Sequence, residues 1–277
     1  MGTSELEGRR SLLIGVQFRD EGRVKSWWKI DGRLARNPAQ ACDIYDTTEP
    51  TMPLVELQNV SKTYNHSVAP VCALADATLQ IEEREFASAD SSRPECSGSC
   101  FCQSRSDGRV AVDGLDIYTL SVERLSDFRR GYPGFVFQQL FLVPYLTAIE
   151  NVMLPLAVVA ITDGRQREMA ADALTRVSLA EKTTRLPRDL PGGEQRRVAI
   201  ARAIVNAPPL LLADEPTGCL DSKTGGEVID LFHQLREGGL TVFLVTHDAA
   251  VAARADRIVY VHDGRVVDSA ATVCVTT

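Results

Sequence analysis

The run Pro209-Leu-Leu-Leu-Ala213 carries no charge and ends on two adjacent carboxylates, Asp214 and Glu215. A short apolar run of this kind suits a buried parallel strand, and consecutive side chains at its tip leave on opposite sides. One carboxylate can then hold a magnesium ion through water while the other polarises an attacking water. A second apolar run, Thr241-Val-Phe-Leu-Val-Thr246, ends in His247-Asp248. An imidazole there could contact a terminal phosphate and relay its protonation state. Upstream, Leu190-Pro-Gly-Gly-Glu-Gln-Arg-Arg-Val-Ala-Ile-Ala-Arg-Ala203 sets Gly192 and Gly193 at the start of an amphipathic helix, whose amides and dipole form an anion-binding end. Taken singly, an Asp-Glu pair after a strand fits a solvated loop better than a metal site; the context changes that reading.

Elements of the right kind surround these residues. Strands are expected first, at 53–60, 74–81, 84–89 and 109–113, then a more polar helical middle with patterns near 121–130, 147–154 and 164–178. After Gly193 the pattern alternates: helix 193–206, strand 209–213, helix 224–237, strand 241–246, helix 248–254, then strands 257–261 and 264–268. Such alternation implies parallel pairing with functional loops at the carboxyl ends of the strands. Residues 1–51 differ, with a Trp27-Trp28 pair and no sustained helical or strand period. The half-buried alternation begins at Met52, so 1–51 is read as a leader, disordered or ahead of the true start.

Composition bounds the answer. With 277 residues, 44% hydrophobic and 24% charged, and a mean hydropathy of −0.07, the chain has an ordinary globular make-up. A net charge of −7 argues against a nucleic-acid partner held by overall field. The apolar stretches at 12–16 and 152–160 are too short to span a bilayer. Seven scattered cysteines, Cys42, Cys72, Cys96, Cys100, Cys102, Cys219 and Cys274, fit no common zinc spacing and read as free thiols.

In order and spacing, residues 52–268 resemble an ATP-binding-cassette (ABC) transporter nucleotide-binding domain. Leu190-Pro-Gly-Gly-Glu194 resembles the family signature, Leu210 to Glu215 the Walker B strand with its catalytic glutamate, Gly218-Cys-Leu-Asp221 the D-loop and His247 the switch histidine. Phe135-Val-Phe-Gln138 resembles the Q-loop, and Tyr64 in Ser61-Lys-Thr-Tyr64 stands where the family stacks an aromatic on adenine. The runs Val112-Asp-Gly-Leu-Asp-Ile-Tyr118, Phe128-Arg-Arg130 and Leu142 to Val152 are similar to the branch of lipoprotein-release, macrolide-efflux and cell-division ATPases. The resemblance implies an α/β fold of P-loop NTPase type over 52–277, with a mostly parallel core sheet, an antiparallel β subdomain and a helical subdomain at about 121–190. It implies ATP and Mg2+ as ligands, with Gln138 and Asp214 reaching the metal, Glu215 and His247 as catalytic groups, and Tyr64, Gly192, Gly193 and Asp221 as nucleotide contacts. Its implied partners are a transmembrane permease and a second nucleotide-binding subunit, at the cytoplasmic face of the inner membrane as a peripheral protein.

One block departs from the family. A loop of the form G-x-x-x-x-G-K-[ST] is expected after the strand near 84–89, with amides cradling phosphates and a lysine neutralising them. The chain has instead a Ser-, Cys- and Arg-rich stretch over 87–107, with one glycine, Gly98, plus Pro94, Asp90 and Glu95. Only 5 of the 30 basic residues are lysines, and none lies between Lys62 and Lys182. Pro191 also replaces the signature serine. Arg93 or Arg105 could supply charge, but not the cradle. The expectation is an ATP-binding subunit with impaired hydrolysis; a non-hydrolysing regulatory or scaffolding subunit paired with an intact paralogue, or a frameshifted or decayed product, are the competing readings.

Overall fold

The computed structural model describes residues 14–20, 23–30, 33–35, 53–65, 70–91, 107–159 and 161–267. The chain divides into two compact units, Met1–Met52 and Pro53–Thr277.

In the first unit, strands β1 (Ile14–Asp20), β2 (Arg23–Ile30) and β3 (Arg33–Ala35) form an antiparallel meander in the order β1-β2-β3. Strands therefore occupy 14–20, 23–30 and 33–35, where no sustained strand period was expected. The register sets Ile14, Val16 and Phe18 opposite Lys29, Trp27 and Lys25. In sequence, β1 alternates Ile14, Val16 and Phe18 with Gly15, Gln17 and Arg19. The Asp31-Gly32 pair between β2 and β3 is a composition that favours two-residue hairpins, and it was the missed signal.

The described residues of the second unit form two sheets. Strands β4 (Val55–Asn65), β5 (Pro70–Ile81), β7 (Asp107–Val112) and β8 (Leu115–Asp116) form an antiparallel sheet in the order β5-β4-β7-β8. Strands β6 (Phe86–Ser91), β9 (Pro133–Val136), β10 (Leu210–Asp214), β11 (Thr241–Thr246), β12 (Arg257–His262) and β13 (Arg265–Val267) form the other, in the order β13-β12-β6-β11-β10-β9. The β12, β6, β11, β10 and β9 strands run parallel, with β13 antiparallel at the edge. Every residue of β11 and the first four of β10 are buried, as expected of strands covered on both faces. Val55, Ile81, Val110 and Val112 of the antiparallel sheet face Leu210, Leu212 and Phe243 across an apolar interior.

Among the described residues of the unit there are six α-helices: α1 (Val122–Gly131), α2 (Ala148–Met153), α3 (Asp163–Arg176), α4 (Gly192–Ile204), α5 (Ser222–Glu237) and α6 (Ala249–Ala252). The α2 helix starts from a capping box between Thr147 and Glu150, which satisfies two otherwise orphaned donors. It packs with α3 and α4 through Ala148, Ile149, Val152, Ala170, Leu174 and Val198. Within the segment 121–190 expected to be helical, Pro133–Val136 is instead the edge strand β9, and α1 packs on it. Proline is tolerated as the first residue of an edge strand. Gly134 lets β9 approach α4: a Cβ there would lie 2.4 Å from the Ala203 carbonyl oxygen.

Candidate functional site

Parallel pairing brings the ends of β6, β11, β10 and β9 to one side of the sheet. Asp214 pairs in register with Val245, Ala213 with Val136, and Thr246 with Asp90. The residues that follow these rungs, Glu215, His247 and Gln138, therefore emerge side by side from strands far apart in sequence.

Glu215 leaves β10 in the left-handed region, at φ 45°, a costly conformation for a residue with a Cβ and one that clusters at functional sites. Its N–H donates to the Val245 carbonyl at 2.9 Å, which anchors the turn. The carboxylate, 17% exposed, meets an imidazole that is 75% exposed: His247 Nδ1 lies 2.6 Å from Oε1. The His247 backbone N–H donates to the same oxygen at 2.8 Å, and the Thr246 hydroxyl donates to Oε2 at 3.2 Å. The hydrogen bond to Glu215 and then its charge raise the His247 pKa above the ordinary value, with Asp248 and Asp90 adding to the shift.

Gln138 lies past the end of β9, and its Cγ falls 3.8 Å from where a Cβ on Gly218 would stand. That glycine closes the turn after Glu215, its N–H donating to the Glu215 carbonyl at 3.0 Å. Both segments are held by Arg196 of α4, whose Nη1 donates to the Phe137 and Gln138 carbonyls at 2.9 and 3.0 Å and whose Nη2 donates to Gly218 at 3.2 Å.

Pro191 caps α4 through its carbonyl, which accepts from Glu194 and Gln195, and it offers no side-chain cap. Gly193 packs against α5 so closely that a Cβ would fall 2.3 Å from Thr224 Cγ2. Asp221 caps α5, accepting from the Lys223 and Thr224 amides and from the Thr224 hydroxyl. These bonds, the hydroxyl one foremost, lower its pKa. Lys182 pairs with Glu194 in the first turn of α4.

Glu215, His247, Gln138 and Asp214 thus form one group at the strand tips, and Gly193 and Asp221 a second, where α4 meets α5. Gly192 opens α4 beside Leu220. Tyr64 sits elsewhere, on β4 of the antiparallel sheet, with the Lys62 ammonium 4.7 Å over its ring. Of the block 87–107, residues 87–91 belong to β6 and residue 107 opens β7; 92–106 lie outside the described residues. Two groups carried no role in the sequence reading. Thr246 was seen only as a strand end. Arg196 was legible, since it shares an i, i+4, i+8 stripe with Ile200 and Ile204, both almost fully buried.

Such a fold with such strand tips is that of an ABC ATPase cassette. Residues 100–218 match the family model described as ABC transporter. An uncharacterised ABC transporter ATP-binding protein of Methanocaldococcus jannaschii, MJ0796, is 41% identical over 223 residues, covering 77% of this chain and 95% of that protein. The chain belongs to the ABC transporter ATP-binding family. The macrolide export ATP-binding/permease protein MacB of Salmonella typhimurium is 39% identical over 219 residues, covering 77% of this chain. The chain spans about a third of the length of these macrolide-export relatives (34% for the Salmonella protein). The solved dimer of MJ0796 in a post-hydrolysis state, bound to ADP and Pi, superposes with a TM-score of 0.68 at 40% identity, covering 77% of this chain and 97% of that one.

Proposed function

We propose that this ATP-binding subunit couples nucleotide binding to export or release of envelope cargo through a membrane permease, with hydrolysis impaired at its own phosphate-binding half-site. Glu215 is the group that polarises water and His247 the contact to the terminal phosphate. Tyr64 stacks on adenine. Gly192 and Gly193 offer amides to the nucleotide of a second subunit, with Asp221 beside them. The observation that carries this reading is the Glu215–His247 pair at the strand tips in a chain with no lysine between Lys62 and Lys182.

Magnesium is a hard cation that takes oxygen ligands and keeps several waters. The Asp214 carboxylate and the Gln138 amide oxygen are donors of that type, and the position of Gln138 over the Gly218 turn keeps it beside the Asp214–Glu215 tip. They fit the ion as two protein ligands. Bound there, the metal would neutralise charge on phosphate oxygens. Among the described residues no group of three or more His, Cys, Asp or Glu side chains could hold a metal alone, so nucleotide and water would complete the shell.

Partner contacts follow from exposure. Phe137, Phe141 and Tyr145 are exposed around the Gln138 loop, and an apolar surface of this kind suits a permease segment. Among the described residues no helix is long and apolar enough to cross a membrane; the seat proposed for the chain is peripheral, against a permease at the cytoplasmic face of the inner membrane. A second nucleotide-binding subunit, identical or paralogous, is the partner across α4 and the Asp221 turn.

The competing reading, a non-hydrolysing regulatory subunit, is favoured by Asp90. It is the penultimate residue of β6, in register with Thr246, and acts electrostatically on His247, placing negative charge near the proposed phosphate contact. Phosphate release from Mg-ATP, together with titration of a fluorescent ATP analogue, separates the readings in the purified chain. Slow release abolished by Glu215→Gln supports impaired hydrolysis, and binding without release supports the regulatory subunit. Neither binding nor release favours a decayed product, which resequencing across 87–107 would check.

A further inference from the structure

Arg196 is 4% exposed, yet no carboxylate among the described residues pairs with it. All three of its described hydrogen bonds go to main-chain carbonyls, at Phe137, Gln138 and Gly218. Its Nε is buried with no partner. Desolvation lowers its pKa, a sign that burial opposes the charged form. A buried cation satisfied only by carbonyls is a poor choice for stability, because an apolar side chain of similar volume would fill the same stripe without the desolvation cost.

The carbonyls it chooses explain the arrangement. Two lie on the Gln138 loop and one on the turn after Glu215, segments with no strand rung between them. From Gly218 the chain of bonds continues: its N–H donates to the Glu215 carbonyl, and the Glu215 carboxylate meets His247. Six residues further along α4, Arg202 extends the grip, donating to Leu140 at 2.6 Å and Phe141 at 2.8 Å. Helix α4 therefore holds 137–141 by its carbonyls, and among the described side-chain hydrogen bonds of the helix only those of Arg196 reach the second loop as well.

We propose that Arg196 is a positioning residue that locks the Gln138 loop and the Gly218 turn into one mechanical unit on α4, so that displacement of either loop moves the other. This coupling goes beyond the function proposed above and does not depend on nucleotide turnover, so it stands or falls separately.

Amide hydrogen exchange on the full chain tests it, read on peptides covering 137–141 and 216–220, with 241–246 in β11 reporting the global fold. Arg196→Met keeps the apolar stem and removes the fork. It is expected to raise exchange in both loop segments together, by about tenfold or more, while 241–246 stays protected. Arg196→Lys is expected to fall between, as partial rescue. Arg197→Gln, which removes an exposed pair with Glu227, is expected to change neither loop. Wild-type exchange in both loops of the Met variant, or a rise in only one, overturns the proposal. If the Met variant loses protection in 241–246, Arg196→Lys decides: a joint rise with β11 protected supports the coupling, and any other pattern overturns it.

Discussion

One oxygen of Glu215 receives both the backbone N–H and the ring Nδ1 of His247, at 2.8 and 2.6 Å. The carboxylate is largely covered and the imidazole largely exposed, so the pair presents a histidine to solvent and keeps its counter-charge beneath.

That arrangement fixes the pH behaviour of His247. Its folded pKa is raised above 6.5 by the bond to Glu215. The pair therefore contributes stability in full below the unfolded value and loses that contribution as pH rises through the folded value. An NMR titration of the imidazole is expected to place its midpoint above 6.5, and Glu215→Gln is expected to lower it. A wild-type midpoint at or below 6.5 contradicts the contact.

Gly193→Ala is expected to destabilise the chain by about 1–3 kcal/mol, the usual cost of overpacking, because the new methyl meets Thr224 Cγ2. Rotation of Thr224 offers no escape, since its hydroxyl is bonded to Asp221. Thr224→Ser removes the methyl and keeps the hydroxyl. In that background the cost of Gly193→Ala is expected to fall within about 0.5 kcal/mol of zero, as urea unfolding of the four species would measure.

At Gly134 the obstacle is backbone rather than side chain. A Cβ would sit 2.4 Å from the Ala203 carbonyl oxygen, so β9 must move away from α4. Gly134→Ala is expected to cost about 3 kcal/mol, and no single side-chain trim should restore it.

Asn151 is fully buried and ties down the loop before α2. Its amide donates to the Val143, Leu146 and Thr147 carbonyls and accepts from the Val143 N–H. Asn151→Leu orphans the Val143 N–H and the Leu146 carbonyl, while the Val143 and Thr147 carbonyls keep the Leu146 and Asn151 backbone N–H groups, and it is expected to lower stability by about 2–4 kcal/mol, read from the chemical unfolding midpoint.

How much of this was legible in the chain depended on whether the signal was local. The β10 and β11 strands follow from their unbroken apolar runs, and the longer helices from their periodic patterns. The four-residue β9 carries too short a pattern to distinguish from a loop, and its place in the sheet is set by pairing with β10. Part of the signal for the β1–β3 meander lay in the alternation of Ile14, Val16 and Phe18 with Gly15, Gln17 and Arg19, a run too short to stand out as a sustained period over 1–51. At the site, residue types announced Glu215 and His247, but their contact depends on the β10–β11 register across about thirty residues of sequence. Arg196 drew no role from its residue type, although its helical phase beside Ile200 and Ile204 already places it inside.

Because the rungs linking β9, β10, β11 and β6 set where each strand stops, the sheet works as a ruler. Replacing the connection that leaves β6 need not shift the marks at Glu215, His247 or Gln138. A lineage can thus lose its grip on phosphate by rewriting one loop and still carry the rest of the apparatus in working alignment.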